Sequence, residues 1–338
     1  MQDGKELFWS DMNPHFGVWR KPNAQFRHVK SCFTADYHTN DYGARDIQRS
    51  KASDRSRVIV LGDSFVEGYG VSREERLTDI LQDKTQLPHL NFGASGSFGS
   101  TQEALVYEHL AGEFDHDMVL IGFLPDNDFD DDARQISGRY IPYWKGEYPD
   151  YTLTYTQPNV TDSDFTEENY TPSLVQLFWH NYFHLPNVID YLSAAWEYRK
   201  KLNRASDENY LDEKSRFVRF NKNEFNRLIY SYEKIIASAP NKKIIIFSIP
   251  RIYDLERYEK TATSPLGEEL RTWSTSYDQV QFIDLLPLMS TCLTNEAIEP
   301  ITLFHTCDGH WNARGHRLAA DILFDEISYQ RPLVDSLK

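Results

Sequence analysis

Five short apolar runs, separated by stretches with helical spacing, constrain this chain more than any other feature. The runs lie at 57–61, 88–92, 118–123, 242–248 and 281–284, and helical patterns fall around 75–85, 100–112, 222–238, 265–275 and 311–327. A β-rich run that leads into a helical one implies a crossover, and crossovers of this length join parallel strands. The expected fold is therefore α/β: a flavodoxin-like three-layer α/β/α sandwich with a central five-stranded parallel sheet and a large insertion. Strands covered on both faces read as unbroken apolar runs, as Ile244-Ile-Ile-Phe247 does.

With 338 residues the chain can bury a sizeable core as one domain plus an insertion. Residues 1–55 are polar and aromatic without a sustained period and read as an N-terminal wrap, followed by a main domain over 56–330. The alternation breaks at about 129–215, which reads as an insertion or lid. Within it, 139–155 alternates around Gly146 like a hairpin, and 174–202 has the spacing of a long amphipathic helix. Tyr143, Trp144 and Trp179 in this region are candidate substrate-lining residues, because flat rings suit the apolar faces of sugars; the alternative is that they form the insertion's own small core.

Charge narrows the partners. The formal charge of -15, from 51 acidic and 36 basic residues, argues against nucleic acid and against an anionic membrane surface. No apolar run approaches the roughly 20 residues of a membrane helix, so no membrane span is expected in this chain. Met1 to Gly4 opens no signal-peptide pattern, and an extracytoplasmic location is expected if an export segment has been removed. Three cysteines, Cys32, Cys292 and Cys307, are too few for a disulfide scaffold; buried thiols are the simplest expectation, with a Cys292–Cys307 bridge as the alternative.

Candidate chemistry gathers where the apolar runs end. The first run closes on Gly62-Asp63-Ser64 and delivers a serine to a helix start, where a hydroxyl is exposed at the C-terminal edge of a sheet. Taken alone, the motif favours a cap over a nucleophile. After the second run comes Asn91-Phe-Gly93-Ala-Ser-Gly96-Ser-Phe-Gly99, whose glycines can turn backbone N–H groups towards an anion. It has neither dinucleotide spacing nor a phosphate-loop lysine, so no nucleotide cofactor is expected. After the third run comes Asp126-Asn127-Asp128, with an amide able to donate hydrogen bonds. The acidic run 126–132 lacks the glycine and glutamate of a calcium loop and reads as a solvated acidic loop. After the fifth run, Asp308 and His310 lie two apart, and in an extended segment residues so spaced point the same way. His305, Cys307, Asp308, His310 and His316 crowd this segment, but no second cluster completes a zinc set, so no metal is expected.

These four loops, spread from 57 to about 325, resemble in order the four blocks of the SGNH (GDSL-like) hydrolases. The resemblance implies Ser64 as nucleophile, His310 as general base and Asp308 as the carboxylate that orients it. It implies an oxyanion hole from the backbone N–H groups of Ser64 and Gly96 and the side-chain amide of Asn127, with Gly93 as runner-up for the glycine and His316 structural. Two departures are visible. The family usually has its acid three residues before the histidine, where this chain has Cys307, and the gap from Gly122 to Asn127 is three residues longer than usual. The spacing Asp-x-His occurs among polysaccharide-modifying relatives. The expectation is a serine esterase that cleaves an acyl, most simply acetyl, ester on a small molecule or glycan, with no cofactor. The alternatives are an O-acetyltransferase using the same triad and a non-catalytic carbohydrate-binding protein on an esterase fold. Trp311, beside His310, joins the candidate substrate-lining residues.

Overall fold

The computed structural model describes residues 11–96, 98–133, 140–156 and 208–328. The predicted helix over 174–202 and Trp179 lie outside the described residues. Two hairpins open the described chain: β1 (Asp11–Asn13) with β2 (Gly17–Trp19), and β3 (Gln25–Lys30) with β4 (Phe33–His38). The alternating part then runs β5 (Val58–Gly62), α1 (Ser64–Glu67), α2 (Leu77–Thr85), β6 (His89–Asn91), α3 (Ser100–His109), β7 (Met118–Phe123) and α4 (Pro125–Ala133). A hairpin of β8 (Pro142–Lys145) and β9 (Thr152–Tyr155) follows, turning at Gly146 as the alternation predicts. The rest is α5 (Glu208–Lys214), α6 (Lys222–Ser238), β10 (Lys243–Ser248), α7 (Ile252–Thr261), α8 (Pro265–Ser274), β11 (Val280–Ile283), α9 (Leu285–Glu296) and α10 (Ala313–Ser328).

The central sheet has the order β11-β10-β7-β5-β6, and every pairing is parallel. This is the five-stranded, doubly wound order expected from the sequence. Side chains alternate across each strand. Ile59, Leu61, Val119, Ile121, Ile244 and Ile246 face α3, α6 and α8 on one side. Val58, Val60, Met118, Leu120, Ile245 and Phe247 face α2, α9 and α10 on the other. The chain reverses its direction of travel across the sheet at β5, so the C-terminal end of β5 lies at the switch point, where open α/β sheets leave a crevice.

The described residues before β5 are tied to the rest of the chain by long-range polar contacts, which a periodicity reading does not detect. Arg20 is buried and donates to Glu67 Oε1 at 2.7 Å and to the carbonyl of Gly93 at 2.8 Å. Arg45, also buried, donates to the carbonyls of Glu67, Gly68 and Val71 at 2.8, 2.6 and 2.7 Å. Both arginines thus brace the segment that follows Ser64, satisfying carbonyls that a one-turn helix leaves open.

The acidic run 126–132 is not the solvated loop expected. It forms most of α4, with Asp128, Asp131 and Asp132 buried. Their roles are local: Asp128 accepts from the Leu124 N–H at 2.9 Å, and Asp132 accepts from the Thr101 N–H at 2.9 Å and the Ser100 hydroxyl at 2.5 Å. Capping two helix starts rewards carboxylates placed before or beside free N–H groups.

Candidate active site

Ser64 stands at the end of β5, where two glycines let a helix sit directly on the sheet. Gly62 and Gly122 are paired in register. A methyl group on Gly62 would begin 2.3 Å from Val66 Cγ2, and one on Gly122 would begin 2.6 Å from the same atom. Val66 therefore seats α1 in a notch that only glycine leaves open. The cap of α1 is Asp63, whose Oδ1 accepts from the Phe65 N–H at 2.9 Å, so Ser64 is left free of that duty. The helix is a single turn of four residues, which makes its dipole a smaller contribution than the sequence suggests.

The Ser64 hydroxyl lies 2.8 Å from Nε2 of His310. The other imidazole nitrogen, Nδ1, is hydrogen bonded to Oδ1 of Asp308. The three predicted residues thus form one continuous line, although 246 positions separate the first two. Asp308 and His310 meet for a different reason from the one expected. Their segment is not extended: it is a closed turn in which the His305 N–H donates to the His310 carbonyl at 2.8 Å, while Gly309 takes a φ of +86°. That left-handed residue brings the carboxylate and imidazole together. Asn312 anchors the turn by donating to the carbonyls of Thr302 and Phe304 at 3.0 and 3.1 Å and accepting from the Arg314 N–H at 2.9 Å.

Electrostatics suit a neutral base paired with an ionised carboxylate. Burial pushes the His310 imidazole below its ordinary value; Asp308 opposes this, and Arg251 and Lys30 reinforce it. Burial alone would raise the Asp308 carboxyl, but the bond with His310 and the Lys30 ammonium on Oδ2 hold it well below the usual carboxylate range. Asp63, directly beneath the serine, is pushed up to about 7 by burial. Arg251, at the loop after β10, pairs with Asp126 at 3.1 Å and lies 5.7 Å from the Phe65 ring centre. The imidazole is held between rings, with Tyr69 stacked at 4.4 Å and Phe65 tilted at 4.9 Å.

The other predicted residues divide. Gly96 follows β6 with a φ of +104° and is exposed, and Asn127 lies in the first turn of α4 after β7. These are the strands flanking β5, so both residues reach the same sheet edge as Ser64. Gly93 is excluded from the glycine role, because its N–H donates to Asn91 Oδ1 at 3.0 Å. His316 is buried and accepts from the Leu77 N–H at 3.3 Å, a structural role. Two of the candidate lining residues are core instead. Trp144 is buried and donates to Ser231 on α6 at 2.9 Å. Trp311 is 1% exposed and packs edge-on against Phe65 and His316. Trp144 also packs edge-on against Tyr230 of α6 at 4.9 Å, so both rings serve packing between elements. Tyr143 is half-buried on β8, and no described contact joins it to Ser64 or His310.

The cysteine pairing is a further correction. Cys32 and Cys307 form a disulfide, with Cα atoms 5.8 Å apart, and Cys292 is a free thiol on α9. Cys307 sits in the turn that faces the tip of the β3–β4 hairpin, so its partner comes from the wrap and not from its neighbour in sequence. Lys30 and Tyr69 were also missed. No local spacing links position 30 to position 308, and the stacking of Tyr69 depends on the fold.

No family model and no curated protein sequence matches this chain. Solved structures do match. The chain is similar to G-D-S-L lipolytic proteins. One, from Veillonella parvula, is 15% identical over 82% of this chain and 99% of its own, with a TM-score of 0.39. A carbohydrate esterase family 2 enzyme with a carbohydrate-binding domain from Myceliophthora fergusii is 12% identical over 84% of this chain and 68% of its own, with a TM-score of 0.42. A salicylyl-acyltransferase from a tetracycline biosynthetic pathway is 12% identical over 81% of this chain and 55% of its own, with a TM-score of 0.34. At such distances the functional reading rests on the geometry of the site.

Proposed function

We propose that this chain is a serine esterase acting on an acyl ester through Ser64, His310 and Asp308. The observation that carries the reading is the unbroken line from the Ser64 hydroxyl through both imidazole nitrogens to a carboxylate. A serine hydroxyl is a poor nucleophile at neutral pH and needs a base that is itself held in one tautomer. Here Asp308 accepts from Nδ1–H, which leaves Nε2 to take the serine proton. Ser64 Oγ then attacks the ester carbonyl. The backbone N–H groups of Ser64 and Gly96 and the Asn127 amide receive the developing negative charge. His310 returns its proton to the departing alcohol, and water attacks the acyl-enzyme by the same route in reverse.

The supported substrate class is an acyl ester. An acetyl group on a carbohydrate is the member of that class we propose to test first, although neither Trp144 nor Trp311 speaks for it, since both are interior. We take 56–330 as the catalytic domain and 1–55 as a wrap that completes it. A disulfide persists in oxidising compartments, which agrees with an extracytoplasmic location.

The test is labelling by a fluorophosphonate together with turnover of p-nitrophenyl acetate and acetylated sugars, with acetate release and acetyl transfer both measured. Ser64 is expected to be the labelled residue, and Ser64→Ala to be unlabelled and inactive. Wild-type protein that binds sugars but resists the phosphonate would instead mark a non-catalytic carbohydrate-binding protein, and transfer exceeding hydrolysis would mark an acyltransferase.

A further inference from the structure

The β3–β4 hairpin lies outside the central sheet, yet its tip is fastened to the turn that carries Asp308. Cys32, in the two-residue tip, is bonded to Cys307, the residue before Asp308. Lys30, on the other side of the tip, places its ammonium on Oδ2 of Asp308, the oxygen that His310 does not use. The same ammonium lies 5.2 Å from the centre of the Tyr69 ring, which stacks on His310. Phe33, just past the tip, packs against His305 in the same turn at 4.8 Å.

An ion pair at a protein surface contributes little, because water and salt screen it. This one differs in burial: the Asp308 side chain is only 7% exposed. A carboxylate so enclosed requires a donor on each oxygen, and loss of one leaves a charge that its remaining bond cannot hold in plane. We propose that Lys30 is a positioning residue for the reaction, fixing the Asp308 carboxylate so that Oδ1 faces His310, and that the Cys32–Cys307 bridge holds the hairpin where Lys30 can do so. The proposal rests on the esterase reading above and adds a part drawn from the wrap. The charged and titratable groups around His310 include Asp308 and His305 on its own turn, His316 from α10, Lys30 from the hairpin, Arg251 from the loop after β10, and Asp63 and Tyr69 from the segment around Ser64. Lys30 bonds to the Asp308 carboxylate from outside the turn, on the oxygen that His310 leaves open.

Lys30→Met is expected to lower kcat by about 10- to 100-fold with KM within twofold, by analogy with loss of the carboxylate or carbonyl partners that orient metal-bound histidines. Lys30→Arg should restore most of the loss. A readout independent of turnover is the low-field proton resonance of His310 Nδ1–H bonded to Asp308, expected in wild type and in Lys30→Arg and shifted or lost in Lys30→Met. Should Lys30→Met not fold, Lys30→Ala carries the same expectation. The double substitution Cys32→Ser, Cys307→Ser is expected to lower kcat in the same direction. Lys30→Met with wild-type kcat and an unchanged resonance overturns the role of Lys30, and a fully active double serine variant overturns that of the bridge. If wild type is neither labelled by fluorophosphonate nor active on any ester, the esterase reading fails on its own, and the resonance still decides whether Lys30 holds the Asp308–His310 bond.

Discussion

At the scale of single residues, the line from Ser64 to Asp308 makes quantitative demands. Asp308→Asn should reduce kcat by about 10⁴-fold, the size of effect produced by the wrong imidazole tautomer in serine proteases. Asn127→Ala should cost about 10²–10³-fold in kcat if its amide receives the oxyanion; an unchanged rate on p-nitrophenyl acetate would remove Asn127 from that role. Activity should follow His310 deprotonation, falling as pH drops. Because burial moves this imidazole down, the acid limb belongs below the ordinary histidine value of about 6.5, lower than the sequence suggests. A pH–rate profile of kcat/KM locates it. Ser64 was legible in sequence because it follows a strand end and a Gly-Asp pair, and Asp308 and His310 because they lie two apart just before a helix, although α9 separates them from β11. Lys30 and Tyr69 were not, since their positions beside His310 exist only after distant segments meet.

At the scale of elements, the seat of α1 on the sheet leaves little tolerance. Gly122→Ala would force a methyl group to within 2.6 Å of Val66 and 2.7 Å of Phe247. Overpacking of this kind costs about 1–3 kcal/mol, and here the displacement would pass through Val66 to α1. Reduced stability by chemical denaturation, together with a fall in kcat, is the expected result. The parallel strands and the helix over 222–238 were readable because apolar periodicity and caps agree, as in α6, where Asn221 accepts from the Asn223 and Glu224 N–H groups. The hairpins of the wrap were not readable: β3 is largely exposed and follows no clean alternation. Helices α7 and α9 were missed as well. Each begins within a few residues of a strand end, where a strand pattern masks the start of a helical one.

At the scale of the whole molecule, buried acids and buried histidines pull the response to pH in opposite directions. Asp63 and Asp254 are each pushed up to about 7 by burial, and Glu103, Asp128 and Asp132 are raised by burial as well. Neither Glu103 carboxylate oxygen has a partner among the described residues. Free aspartates titrate near 3.9, so between about pH 4 and 7 the folded chain holds protons that the unfolded chain releases, and stability falls as pH rises through that window. Asp308 acts with the opposite sign, losing its contribution only as pH falls below the unfolded carboxylate value. His89, His305, His310 and His316, moved down by burial, act against the raised acids and add stability as pH rises towards the ordinary histidine value. The acid contribution is therefore read by difference: Glu103→Gln should make the change in Tm from pH 5 to pH 8 more positive than in wild type, and an equal or more negative change contradicts the sign.

The bridge between Cys32 and Cys307 spans 275 positions, so most of the polypeptide is a covalent ring with two free tails. Proteolysis has an unusual outcome in such a molecule. Most residues from 50 to 55 are exposed, and they lie inside the ring. One cut there opens the ring without dividing the molecule, so a nicked sample would migrate as a single species under denaturing conditions. Only reduction would release two fragments, and the smaller would carry away Lys30, Arg20 and Arg45 together.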